Sequence, residues 1–491
     1  MADIFDEQKA LVTELVKIKS VTGCEGCEQA MAEHVYEKLA GWEYFKAHPE
    51  NLFLLPTQND TLKRGSVVAV VEGDGEDTVL LMGHLDTVDI ADYGKLEPIA
   101  LDPDALCEAF KTSADPELAA DANSGRYMFG RGALDMKAGV ASHLYNLKYF
   151  SEHLSELKGS LAALFECDEE GDSHGMLTSA GFIKKLAAER GLRIKASVCA
   201  DYSSREAAVY MGTIGKYLPC FMAFGRSSHV GQVFSSVDPN LITAEITAAI
   251  DYNSDFCEDN LGEMTQPPVS LKQCDLKDSY SVQTADSAFV YFNWFSLKKS
   301  GDEILDICKA EAQNAAVRVV SGLNRKKEAF AEKMKALCGD FPDPSPGPVD
   351  VPRVFTLKEY AALLGTELRS PDPFADIREF WISEAERVRK LDPDMSPVIL
   401  VFMAGISYPP ITVDPDSELG RAAAGLGIPV RTYYPFISDT SFVSLIGDIP
   451  VVNLGTFGKD AHMFTERVDM DYSFRRLPQL TKELIIKLIG A

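Results

Sequence analysis

Val79-Leu-Leu-Met-Gly-His84-Leu-Asp86-Thr-Val88 is an apolar run that stops at a histidine and an aspartate two residues apart. A continuous apolar run of this length reads as a strand buried on both faces, the kind found in parallel sheets. In open α/β sheets, ligands bind just beyond the carboxyl ends of such strands. His84 and Asp86 are therefore expected at the rim of a site. Imidazole is the commonest metal-binding side chain, and a carboxylate near its second nitrogen fixes the tautomer. Taken alone, His-x-Asp is equally the polar end of an ordinary strand, so the rest of the chain has to decide.

Two further apolar runs end in acids. Ser160–Phe165 closes on Glu166, Asp168, Glu169 and Glu170, followed by Gly171, and Ala196–Ala200 ends in Asp201. A fourth run, Ile449–Leu454, precedes Phe457-Gly-Lys-Asp-Ala-His462-Met-Phe-Thr-Glu466. Between the first two lies Gly130-Arg-Gly-Ala-Leu-Asp135-Met-Lys-Ala-Gly139, a glycine-rich loop that feeds a helix over Met136–Phe150. Such a loop could cradle a phosphate, but its spacing fits neither the P-loop nor the dinucleotide fingerprint. Acid clusters are commonly solvated faces. At one edge of a buried sheet, like charges crowd unless a cation neutralises them. Oxygen and imidazole donors without thiolate suit zinc, manganese or cobalt in a hydrolytic site.

The remaining pattern is an N-terminal helix over Asp6–Lys19, a second over Glu25–Leu39, and strands at Ser66–Val71 and Thr78–Met82. From Asp89 to Met128, prolines 98, 103 and 116 suggest a long loop approaching the site. After Asp201 the texture changes to antiparallel strands with helices at Val237–Tyr252 and Asp302–Ser321, an α+β unit. Within it lies Gly225-Arg-Ser-Ser-His229-Val-Gly231, which by itself reads as a polar turn. Arg325–Lys390 is charged and helical, broken by the proline-rich 340–352, and reads as a helical insertion. The expected division is 1–212, the first part of a catalytic domain; 213–325, a small α+β lid and dimerisation domain; 326–394, the insertion; and 395–491, the second catalytic part. The fold class is α/β, a mixed-sheet catalytic domain with helices on both faces plus the inserted lid.

With 491 residues the chain exceeds one core, and its formal charge of −26 opposes nucleic acid and anionic membranes. No apolar run approaches the ~20 residues of a membrane span. The acidic start Met-Ala-Asp-Ile-Phe-Asp lacks the basic segment and apolar core of a leader. Ten scattered cysteines, with a lone C-x-x-C at Cys24 and Cys27, fit reduced thiols in a cytoplasmic protein.

Together, Gly83-His84-Leu-Asp86-Thr-Val, Gly130-Arg-Gly-x-x-Asp135-Met-Lys-x-Gly139, Asp168-Glu169-Glu170-Gly171, Asp201, Ser-Ser-His229-Val-Gly and His462-x-x-x-Glu466 resemble one family. It is the zinc-dependent exopeptidase and amidohydrolase family (peptidase clan MH) of aminoacylase, carboxypeptidases of the G type, tripeptide aminopeptidase and succinyl-diaminopimelate desuccinylase. The motifs keep the family order over nearly the whole chain. Its length, Leu271–Tyr280 and Phe292-Asn-Trp-Phe295 are most similar to a branch linked to arginine utilisation. The resemblance implies two metal ions: Asp135 bridging both, His84 and Asp201 completing one set, Glu170 and His462 the other. It makes Glu169 the general base, Asp86 the residue that orients His84, and His229 an oxyanion donor reaching across a homodimer. It also implies a cis peptide after Asp135. One departure is Phe295, where relatives that bind a substrate carboxylate carry arginine. The implied activity is metal-dependent cleavage of an amide bond in a small-molecule or short-peptide substrate. The alternative is a non-catalytic metal-binding or regulatory member of the fold.

Overall fold

The computed structural model describes residues 4–490 apart from 204, 340–348, 372–375, 395 and 437. The chain forms two compact units, Met1–Ile214 with Ile411–Ala491, and Gly215–Pro410.

The first unit is built on an eight-stranded mixed sheet. Its order is Leu52–Pro56, Gly65–Val71, Ser160–Glu166, Asp77–His84, Arg193–Cys199, Val451–Asn453, Val209–Tyr210 and Val430–Arg431. The central strand Asp77–His84 runs parallel to both neighbours, Ser160–Glu166 and Arg193–Cys199, while Gly65–Val71 is antiparallel. Every residue of Gly65–Val71 and Ser160–Glu166 is buried. Because successive side chains point to opposite faces, both faces must be covered, and helices cover them. Val67, Leu81, Ala163 and Phe165 pack in one core with Val12, Val35, Leu144 and Leu484 of the helices Ile4–Val16, Cys27–Ala40, Ala138–Glu152 and Leu477–Ile489. Helix His174–Arg190 buries Met176, Ala180 and Ile183.

The second unit has its own sheet, in the order Val269–Asp275, Ser287–Ser296, Pro219–Phe224, Val398–Met403, Arg353–Thr356, with Gly215–Tyr217 paired to the end of Ser287–Ser296. Helices Pro239–Ile250 and Gly301–Cys338 share a core with Phe221, Val290, Phe292 and Trp294. Helices Leu357–Leu363 and Ile377–Arg389 cover the other side chains, including Met222, Phe289, Leu400 and Phe402.

This corrects two boundaries. Segment 326–394 is no separate helical insertion, because helix Gly301–Cys338 runs through its start and Arg353–Thr356 pairs parallel with Val398–Met403. Nor does Val398–Met403 belong to the first unit's sheet, since it pairs antiparallel with Pro219–Phe224. The physical reason is that both sheets are covered on both faces, so a wholly apolar strand fits either one. Residues 340–348 of the proline-rich break lie outside the described residues.

Two other expectations change. The long loop at 89–128 contains helices Pro103–Phe110 and Pro116–Ser124, each with proline in the first turn and an aspartate, Asp102 or Asp115, accepting backbone N–H groups as its cap. Cys24 and Cys27, expected as thiols, are joined in a disulfide, while the other eight cysteines are free. Among the described residues no helix is long and apolar enough to cross a membrane.

Candidate metal centre

Parallel register brings the first unit's candidate site residues to one edge. His84 lies opposite Glu166, Met82 opposite Cys199, and Cys199 opposite Asn453. The residues just beyond these strands, Glu169, Glu170 and Asp201, therefore emerge beside His84. Asp135 comes from the loop before helix Ala138–Glu152, and its peptide bond to Met136 is cis.

Asp135 is the hub. Its Oδ1 is 3.0 Å from His84 Nε2, and its Oδ2 is 3.0 Å from His462 Nε2. The same His462 nitrogen is 3.0 Å from Glu170 Oε1. Ligand atoms of His84, Asp135 and Glu170 all lie within 4.8 Å of one another. Burial alone would raise the Asp135 carboxyl, yet hydrogen bonds with His462 and His84 hold it far below the usual carboxylate range. Contacts with Asp135 and Glu170 push His462 up to about 10. Burial, then the charge of Asp135, raises Asp201 to about 7 and raises Glu170. Glu169 is raised well above its ordinary value, chiefly by burial.

Each close imidazole–carboxylate contact requires positive charge between nitrogen and oxygen, either a proton or a cation. Two histidines and at least four clustered carboxylates, with no thiolate among them, fit divalent ions of the zinc, manganese or cobalt type.

Asp86 does more than orient His84. The His84 Nδ1–H donates to the Asp86 backbone carbonyl at 3.1 Å, which leaves Nε2 free to face Asp135. The Asp86 carboxylate instead accepts the backbone N–H groups of Glu169 (3.2 Å) and Glu170 (3.0 Å) and the Thr22 hydroxyl (2.6 Å). One buried aspartate thus fixes the histidine and both glutamates.

Several supporting residues escape a reading of the sequence. Glu466 accepts the backbone N–H groups of Leu134 (3.0 Å) and Asp135 (3.2 Å) on one oxygen and Arg131 (2.8 Å) on the other, while Arg131 also clasps both oxygens of Asp92. Glu28 accepts the Asp168 N–H at 3.0 Å, and Arg64 pairs with the Asp168 carboxylate, holding the start of the acidic loop. The Asn453 side chain brackets the Asp201 backbone with bonds of 3.0 and 2.9 Å. Gly455 passes so close that a Cβ there would meet the Asp201 carbonyl oxygen at 1.7 Å. Asp439 is a further buried carboxylate, raised to about 8 by burial and by Asp86. Glu466, Arg131 and Asp168 had a signal, since each lies inside one of the quoted motifs, whereas Glu28, Arg64, Asn453, Gly455 and Asp439 had none.

His229 is in the second unit. It is exposed, and its Nδ1 accepts the Gly231 N–H at 3.0 Å. Trp294 of the Asn293-Trp294-Phe295 stretch is buried in that unit's core, its ring 5.1 Å from that of Phe256.

Known proteins agree with this architecture. The model of Peptidase family M20/M25/M40 matches residues 80–486. Protein RocB of Bacillus subtilis (strain 168) is 30% identical over 547 residues, spanning 98% of this chain and 94% of RocB. Among solved structures, the M20 family metallo-carboxypeptidase Sso-CP2 from Sulfolobus solfataricus aligns with a TM-score of 0.54 at 13% identity, over 98% of this chain and 99% of that one. The YXEP protein of Bacillus subtilis, a dinuclear metal-binding peptidase from the M20 family, aligns with a TM-score of 0.53 at 11% identity, over 99% and 98%. At such identities the solved structures speak for the fold alone, whereas the family match covers most of the chain and the kinship with RocB is nearly end to end. By that measure the chain belongs to the M20/M25/M40 peptidase family.

Proposed function

We propose that this protein is a metal-dependent hydrolase that cleaves the amide bond of a small amino-acid derivative or short peptide. The observation that carries the reading is Asp135, whose two carboxylate oxygens each lie 3.0 Å from a different histidine nitrogen. In this reading Asp135, together with His84, Asp201, Glu170 and His462, would hold two divalent ions, zinc foremost. Such ions would supply Lewis acidity, lowering the pKa of a water toward neutrality and polarising the scissile carbonyl.

The chain's own residues do the rest. Glu169 takes the proton of the attacking water and returns it to the leaving amine; its raised pKa suits a group that must both accept and release a proton. Asp86 is a positioning residue that keeps Glu169 and Glu170 apart in role by binding their backbones. His229 is the oxyanion donor, supplied by a second copy of the chain. Because its Nδ1 accepts a backbone N–H, its proton sits on Nε2, the form a donor needs.

The second unit acts as lid and dimerisation domain. Its strand Val269–Asp275 is a sheet edge with Leu271 54% exposed, an edge open to pairing with another chain. The enzyme works in the cytoplasm, and its substrate comes from arginine degradation, as the resemblance to the arginine-utilisation branch implies. With Phe295 in place of arginine, a free substrate carboxylate is not held from that position.

The test is hydrolysis of a panel of N-acyl amino acids and arginine-containing dipeptides by the zinc-, manganese- or cobalt-loaded protein. Metal-dependent release of a free amine from any member supports the reading. A loaded protein that turns over none of them while it binds several contradicts it, and favours a binding or regulatory role.

A further inference from the structure

Tyr202 stands next to Asp201, and its backbone is fixed on both sides. Its N–H donates to Asp201 Oδ1 at 2.7 Å, and its carbonyl accepts the hydroxyl of the fully buried Tyr434 at 2.8 Å. The ring stacks on Phe436, with centroids 5.0 Å apart and planes 25° apart, and its centroid is 6.4 Å from that of His462. Neighbours thus set both the backbone and the plane of the ring.

The hydroxyl is different. Among the described residues no hydrogen bond ties it, although it lies in the field of Asp135, Asp201 and Glu170. The phenol is half-buried and held firmly one residue from Asp201, with its ring beside that of His462 and a donor left free among the described residues. Phenol is a neutral donor at working pH, since tyrosine ordinarily ionises near pH ≈ 10.

We infer that Tyr202 is a catalytic residue whose phenol O–H donates a hydrogen bond to the oxyanion that develops on the scissile carbonyl oxygen. This rests on the hydrolase reading above. Water oxygen bonds to the carbonyl carbon as the C=O π pair moves onto oxygen, and the water's proton passes to Glu169. The C=O bond then re-forms, the C–N bond breaks, and Glu169 gives that proton to the amine. Tyr202 keeps its own proton throughout. Unlike His229, it belongs to the same unit as the metal-binding residues, so it requires no second copy of the chain.

The test compares wild type with Tyr202→Phe, which keeps the ring and its stacking, both loaded with zinc. Calorimetry measures binding of methylphosphonate, a tetrahedral oxyanion, and of acetate, a planar one. The expected result is methylphosphonate affinity weakened about tenfold in the variant with acetate affinity and zinc content unchanged, and kcat on any panel substrate lowered about a hundredfold at constant KM. Equal methylphosphonate affinity in the two proteins overturns the inference, as does a wild type that binds methylphosphonate no better than acetate. Absence of wild-type turnover strikes the hydrolase reading instead, and the binding comparison still decides the role of the hydroxyl.

Discussion

Glu384 in the second unit and Asp201 in the first are both buried acids, and their surroundings are opposite. Glu384 receives the Arg369 side chain (2.6 Å) and backbone N–H (2.9 Å) together with two bonds from Arg387 (2.9 and 2.6 Å). Arg387 first, then Arg369, hold it down at about 2. Asp201 sits among Asp135, Glu170 and His84, and burial followed by Asp135 raises it to about 7. The second unit supplies the countercharge for its acid from its own sequence. The first unit leaves a cluster of acids short of countercharge, which is what a site for cations requires and what a structural ion-pair network avoids.

The sharpest way to exploit that difference is Glu169→Gln. Losing the base should lower kcat by roughly a hundredfold to ten-thousandfold, with metal content unchanged by mass spectrometry. Wild-type activity in the variant would assign the base elsewhere. Next is Glu466→Gln, which weakens the grip on the Leu134 and Asp135 backbone and on Arg131 without replacing a proposed ligand. Metal affinity should fall about 10- to 100-fold, as for other groups that orient ligands, read by titration against a competing chelator. An unchanged affinity would make Glu466 a scaffold residue only.

The smallest effect is on stability, and here the two acids should respond to pH with opposite sign. Glu384 titrates at about 2 folded against 4.5 ordinarily. Its contribution is therefore complete above pH 4.5 and lost as pH falls through about 2. Its arginine partners are 55% and 29% exposed, so Glu384→Gln should cost only about 1–2 kcal/mol. In chelator-treated protein Asp201 titrates at about 7 against 3.8 ordinarily. Between those values the folded chain holds the extra proton, and stability falls as pH rises. Asp201→Asn should lessen that slope in urea unfolding curves, the raised Glu170 and Asp439 keeping the remainder, whereas Glu384→Gln should leave it whole. A common slope in wild type and Asp201→Asn would show that the crowding of acids is relieved within the chain.

The residues proposed to bind metal were legible as candidates because each follows a feature with a one-dimensional signature. His84 and Asp201 end apolar strands, Glu169 and Glu170 follow one closely, and Asp135 closes a glycine-rich loop. Parallel register then does the gathering. Their supports were not legible, because Glu28 meets Asp168 across 140 positions and Asp201 meets Asn453 across 252, with no local pattern marking either. Helices Pro103–Phe110 and Pro116–Ser124 were hidden by their prolines, which suggest loop but are at home in the first turn after an aspartate cap. Val398–Met403 was misassigned because an apolar strand states that it is buried on both faces without saying in which sheet.

The most direct test of the central claim is the divalent metal content of the purified chain beside that of Asp135→Asn, after each is reconstituted with zinc, manganese or cobalt. The account predicts about two ions per wild-type chain, as a two-metal hydrolytic site requires, and their loss in the variant. Wild type that retains no ion, or a variant that retains as many as wild type, would contradict it.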